Sequence, residues 1–106
     1  MVRGHYLQLC ELVKDWPCLI KGDIRTEVIS ISENSKAVGE QIIFCAKQGQ
    51  QFNGMQFVSE AISNGAVCIA VDDEQFYESF QLDIPIVWVP NLRRFIAYAA
   101  AALNHF

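Results

Sequence analysis

The sequence predicts an α/β fold: a single small domain with a mainly parallel sheet flanked by helices. Three short apolar runs, Ile42–Ala46, Ala66–Val71 and Ile86–Val89, are long enough for strands and too short for helices. Segments with apolar residues at three- and four-residue spacing follow them, so strand and helix alternate as in parallel βαβ units. The runs are almost continuously apolar, as strands covered on both faces are.

Each element has its own signal. Tyr6, Leu9, Cys10, Val13 and Trp16 recur at helical intervals, predicting a first helix that Pro17 closes by disfavouring helix in the residue before it. Leu19-Ile20 and Glu27–Ile31 read as short strands, and Lys21-Gly22-Asp23 as a turn in which Gly22 takes positive φ. After the strand Ile42–Ala46, one apolar face (Met55, Val58, Ala61, Ile62) predicts a helix near 55–64, ended by Asn64 and a left-handed Gly65. Ala66–Val71 is followed by a short acidic helix over Glu74–Phe80. Pro85 and Pro90 bound the last strand, and Asn91 caps a helix near 91–104 that buries Leu92, Phe95, Ile96, Ala99 and Leu103.

Composition narrows the function. The chain has 106 residues, 52% apolar and 19% charged, the balance of one globular domain without a disorder signature. No apolar stretch approaches the ~18 residues of a membrane span and no signal-peptide pattern opens the chain, so the reading is cytoplasmic, with no membrane partner. A net charge of −4 argues against a nucleic-acid backbone binder. Cys10, Cys18, Cys45 and Cys68 have no CxxC spacing, and His5 and His105 are far apart, so the thiols read as reduced and structural, with no metal site. Asp72-Asp73-Glu74 stands at a strand-to-helix junction, where acids suit a helix N-terminus.

No GxxxxGK[ST] loop and no GxGxxG fingerprint occurs, and no serine or cysteine has a base at recognisable spacing. The chain alone therefore reads as a non-catalytic binding module, without catalytic residues or a cofactor of its own. The ligand signal lies in two polar loops around the strand Ile42–Ala46. In a parallel sheet ligands settle beyond the carboxyl ends of strands, which is where the loop Lys47–Gly54 begins. There Gly49 and Gly54 permit close backbone approach, while Gln50, Gln51 and Asn53 supply paired donors and acceptors. Before the strand, Ser35 and Lys36 offer a hydroxyl and a cation suited to phosphate or sugar oxygens. Solvated surface loops with turn glycines would look the same.

The segment NSKAVGEQIIFCAKQGQQFNGMQFVSEAISNGAVCIAV, residues 34–71, resembles the N-terminal domain of Mur ligases, especially the UDP-N-acetylmuramoyl-tripeptide synthetase (MurE) type. The family's pattern is Asp-Ser-Arg, a Val, Gly-Asp, Leu-Phe-Val-Ala, a glycine, a polar stretch ending in Asp-Gly, then Ala-Ile and Gly-Ala. Its counterparts here are Asn34-Ser35-Lys36, Val38, Ile43-Phe44-Cys45-Ala46, Gly49, Asn53-Gly54, Ala61-Ile62 and Gly65-Ala66. The likeness continues more weakly through Ile86–Val89 and the final helix. Asn34, Lys36 and Asn53 replace charged or forked groups, and Lys36 keeps the charge without the bidentate geometry. Gln41-Ile42 stand in the ungapped register of Gly-Asp, unless Gly39-Glu40 is the same turn displaced.

The resemblance implies that residues 1–106 are a substrate-binding N-terminal domain for UDP-MurNAc-peptide, with the central ATP-binding and C-terminal domains absent from this chain. It implies contacts from Glu33 and Ser35, with Lys36 beside them, and from Gln50, Gln51 and Phe52, with Asn53 beside them; Phe52 would face the uracil. A full-length enzyme would be an ATP-dependent acid–amino-acid ligase using ATP and Mg2+ in peptidoglycan synthesis, and hence cell-wall biogenesis and cell shape. The other reading is a stand-alone domain that keeps the fold for a non-catalytic interaction or regulatory role.

Overall fold

The computed structural model describes residues 7–34, 36, 39–46, 57–79 and 82–103. Its elements in chain order are β1 (Leu7–Gln8), α1 (Leu9–Val13), β2 (Leu19–Lys21), β3 (Glu27–Val28), β4 (Ser30–Ser32) and β5 (Ile42–Ala46). They are followed by α2 (Val58–Ser63), β6 (Ala66–Val71), α3 (Glu74–Ser79), β7 (Ile86–Trp88) and α4 (Leu92–Leu103). A five-stranded sheet has the order β2-β7-β6-β5-β4, and β1 and β3 form a separate two-stranded ribbon. Strands β4 to β7 run parallel; β2 joins β7 antiparallel. The predicted α/β class and mainly parallel sheet are thus what the chain adopts.

Successive side chains of a strand point to opposite faces, and the apolar runs fill both. Ile43, Cys45, Cys68, Ala70 and Val87 pack with Leu9, Leu12 and Val13 of α1 and Leu92, Phe95, Ala99 and Leu103 of α4. Phe44, Ala46, Ile69, Val71 and Ile86 pack on the other face with Val58 and Ala61 of α2 and Phe76 and Tyr77 of α3. Neither face can tolerate a polar alternation, which is why these runs read as continuous apolar stretches.

The N-terminal quarter departs from the sequence reading. Of the helix predicted from Tyr6 to Trp16 only Leu9–Val13 is α-helical among the described residues, because Leu7 and Gln8 pair with Val28 and Glu27 as a ribbon; Tyr6 lies outside the described residues. The Gln8 amide then donates to the Glu11 carboxylate at 3.0 Å, which fixes the start of α1. The single strand expected over Glu27–Ile31 is divided between two sheets. Glu27-Val28 pairs with β1, and Ser30–Ser32 pairs with β5. Between them the Ile29 amide donates to the Gln41 carbonyl at 2.8 Å. The helix reading for Met55, and those for Phe80 and Asn104 at helix ends, lie outside the described residues.

Positive φ falls where the turns demand it. Gly22 has φ +108° and Gly65 +114°, at the two positions the sequence marks. Gln41 has φ +61°. That conformation is costly for a side chain bearing a Cβ, and it falls on the residue that stands for the family's glycine in ungapped register, not on Gly39.

Gly65 is also a close-approach point. A Cβ there would lie 3.0 Å from the Gly39 carbonyl oxygen and 3.1 Å from Glu40 Cα and N, all backbone atoms. Gly65→Ala is therefore expected to cost about 2 kcal/mol, from the disfavoured φ and the displaced 39–41 turn together. Urea denaturation checks it; an unchanged midpoint would refute the assigned geometry.

Candidate functional site at the carboxyl end of the sheet

Because β4 and β5 are parallel neighbours, in register from Ser30–Ile42 to Ser32–Phe44, the chain leaves both strands at the same end of the sheet. Glu33 follows β4 at that end, close enough to Cys45 for its carboxylate to disfavour the thiolate. The first polar loop therefore stands beside the last residues of β5, where Ala46 leads on to Lys47. Sequence reasoning placed a ligand at this location, and the topology brings the described part of the first loop there.

The loop is built from short polar contacts. Ser32 Oγ donates to the Asn34 carbonyl at 3.3 Å and accepts from the Asn34 amide at 3.1 Å. Asn34 Oδ1 accepts the Lys36 amide at 2.9 Å, the self-closing turn that Asn and Asp form through their short side chains. An Asn can do this as well as the family's Asp, so the substitution leaves the turn intact and removes one negative charge. Glu33 and Lys36 are solvent-exposed. Ser35, Gln50, Gln51, Phe52 and Asn53 lie outside the described residues.

The same end of the sheet carries groups that structure occupies. Asp73 Oδ1 accepts the Gln75 and Phe76 amides at 3.0 and 3.2 Å, capping α3. The Trp88 indole donates to the Asp72 carbonyl at 3.2 Å and so ties the end of β7 to that of β6. Asn91 Oδ1 accepts the Arg94 amide at 3.1 Å and caps α4, as its position before the apolar period predicts. Among the described residues no group of three His, Cys, Asp or Glu side chains is placed to hold a metal. No helix among them is long and apolar enough to cross a membrane.

The cysteines are free thiols, Cys45 and Cys68 buried and Cys10 and Cys18 half-buried. Burial pushes the Cys45 thiol well up, with Cys68 and Glu33 adding to it, and burial alone raises Cys68. A thiol held so firmly in its protonated form is no nucleophile.

The family model described as "Mur ligase family, catalytic domain" matches residues 27–103. The chain belongs to the Mur ligase family. Its curated relatives are of the tripeptide-synthetase (MurE) type. It is 41% identical over 63 residues to a UDP-N-acetylmuramoyl-L-alanyl-D-glutamate--2,6-diaminopimelate ligase of Clostridium acetobutylicum, covering 59% of this chain and 13% of that enzyme. It is 32% identical over 96 residues to the ligase of that name from Chlamydia pneumoniae, covering 90% of this chain and 19% of the enzyme. This Mur ligase chain thus spans less than a fifth of the length of either relative. Among solved structures it superposes on the UDP-N-acetylmuramoylalanyl-D-glutamyl-2,6-diaminopimelate--D-alanyl-D-alanyl ligase of Acinetobacter baumannii with a TM-score of 0.62. That match has 19% identity and covers 86% of this chain and 19% of the other, a likeness of fold.

Proposed function

We propose that this Mur ligase chain is the substrate-binding, N-terminal domain of a tripeptide-synthetase-type enzyme, and that it holds the uridine diphosphate end of a UDP-MurNAc-peptide. The observation that carries the reading is the parallel β4–β5 pair. It brings Glu33, Asn34 and Lys36 beside the carboxyl end of β5, after which Gln50–Asn53 follow in the sequence, in a chain whose curated relatives are named for such substrates. In this reading Ser35 and Lys36 meet diphosphate or ribose oxygens, and Glu33 accepts from a sugar hydroxyl. Gln50, Gln51 and Asn53 read polar edges of the uridine, and Phe52 offers its ring to the uracil. The parent enzyme would be a cytoplasmic ligase extending a peptidoglycan precursor with ATP and Mg2+. With no GxxxxGK[ST] loop in these residues, the ATP site would belong to other parts of it.

With Asn34, Lys36 and Asn53 in place of stronger ionic groups, binding by the isolated domain is expected to be weak. A ligand at about a hundred times its dissociation constant stabilises the fold by about 2.7 kcal/mol, a clear melting shift at this size. Titration with UDP-MurNAc-dipeptide should move amide resonances of Glu33–Lys36 and of Gln50–Asn53 together. Perturbations confined to Asp72–Glu78, or none at millimolar ligand, would favour a non-catalytic interaction domain.

A further inference from the structure

A groove of about 500 Å3 opens beside the β2–β7 pair, lined by Trp16, Pro17, Pro90, Asn91, Arg94 and Ala97. It shares no residue with Glu33, Asn34 and Lys36, which follow β4 at the other side of the sheet. Leu19 pairs with Trp88, so Pro17 before β2 and Pro90 after β7 come together at this corner. The volume is in the range that small ligands occupy, and such sites combine apolar walls with a few polar groups.

The wall is rigid. The Trp16 ring stacks on Tyr98 with centroids 4.5 Å apart and 22° between planes, and meets Phe95 edge-on at 5.9 Å. The Tyr98 hydroxyl donates in turn to the Leu12 carbonyl. Both prolines have fixed φ. Little side-chain freedom therefore remains to be lost when a flat ligand lies against this surface.

The polar group is a cation with no counterion among the described residues. The Arg94 guanidinium is exposed and has no hydrogen-bond or ion-pair partner among the described residues. Residues 84–106 contain Arg93 and Arg94 and no Asp or Glu, in a chain whose net charge is −4. Both arginines stand in the first turn of α4, where the helix macrodipole favours anions and disfavours cations. No described carboxylate pairs with Arg94 to offset that arrangement; an oxyanion in the groove would, through the planar fork that matches carboxylate or phosphate.

The geometry points to a second ligand site in this groove, for an aromatic or heteroaromatic ring carrying a carboxylate or phosphate. The ring lies against Trp16 between the prolines, and the oxyanion pairs with Arg94. The assignment does not depend on the substrate reading above.

Phenyl phosphate and indole-3-acetate are the probes for the two oxyanions, with phenol, acetate and inorganic phosphate as controls for ring and charge alone. Either probe should shift the Trp16 indole N–H and the Arg94 resonances saturably, leaving Glu33–Lys36 unmoved. Arg94→Gln should weaken binding about tenfold or more, as expected for the loss of a charged hydrogen-bond partner. Ala97→Glu, an exposed change that gives Arg94 an internal carboxylate three residues away, should abolish binding without lowering the melting temperature. The site is overturned if inorganic phosphate reproduces the shifts, if Arg94→Gln binds like the parent, or if neither probe saturates.

Discussion

Phe95→Ala is expected to remove about 3–5 kcal/mol of stability, the usual cost of emptying a buried aromatic position. Phe95 is 0% exposed, lies in α4 and shares the core with Leu9, Leu12 and Val13 of α1 and with the strand residues facing them. Its ring also supports Trp16 edge-on at 5.9 Å, so truncation loosens the segment that leads into β2. Domains of this size hold about 5–15 kcal/mol in total, and each kcal/mol is worth about 4–8 °C of melting temperature. The variant should therefore melt roughly 12–40 °C lower by circular dichroism. A loss below about 1 kcal/mol would mean that α4 does not pack as described.

The second large effect is alkaline instability. Burial raises the Cys45 and Cys68 thiols in the folded protein, whereas the unfolded chain releases those protons near the ordinary value of about 8.5. A raised folded value means that this contribution is fully present below about pH 8.5 and is lost as pH rises above it, because only the unfolded state then gives up protons. Each thiol's slope climbs toward about 1.4 kcal/mol per pH unit above that value, so the pair removes about 2 kcal/mol between pH 9 and 10. Burial also raises Cys18 and Tyr77, which add to the trend at higher pH. Urea midpoints measured from pH 7 to 10 should fall steeply, and a Cys45→Val/Cys68→Ala variant should lose most of that slope. An equal slope in the two proteins would show that these thiols are not the buried protons responsible.

The parts of this fold legible in the sequence are those set by one period and one neighbourhood. Ile42–Ala46 and Ala66–Val71 matched their strands because no polar residue interrupts the runs. Gly22 and Gly65 were readable because only glycine takes those φ angles without strain. The N-terminal quarter was not readable in this way. Leu7-Gln8 continues a helical period, and only pairing with Glu27-Val28, distant in sequence, withdraws it from the helix. Glu27–Ile31 has no break in composition, yet its ends belong to different sheets. The rule that ligands gather beyond parallel strand ends singled out one end of the sheet, and the β4–β5 pairing brings Glu33 and Lys36 to it, while Ser35 and Gln50–Asn53 lie outside the described residues. The Trp16–Arg94 groove was not legible. Trp16 looked like one more apolar position on a helix face, and nothing local in the sequence joins it to Pro90 and Arg94.

The antiparallel placement of β2 beside β7 also dictates an order of events as the chain is made. Leu19–Lys21 leaves the ribosome before every other strand of this sheet, but its partner Ile86–Trp88 is the last of the sheet's strands to be made. Strands β4, β5 and β6 can pair with neighbours as each appears, whereas β2 must wait for an edge that does not yet exist. Closing so long a loop is the slow kind of contact in folding. Until it closes, the nascent sheet presents an unpaired edge that invites association with other chains. The first and last strands of the five-stranded sheet in chain order thus act as a clasp, and the sheet gains its full cooperativity only once β7 has been translated.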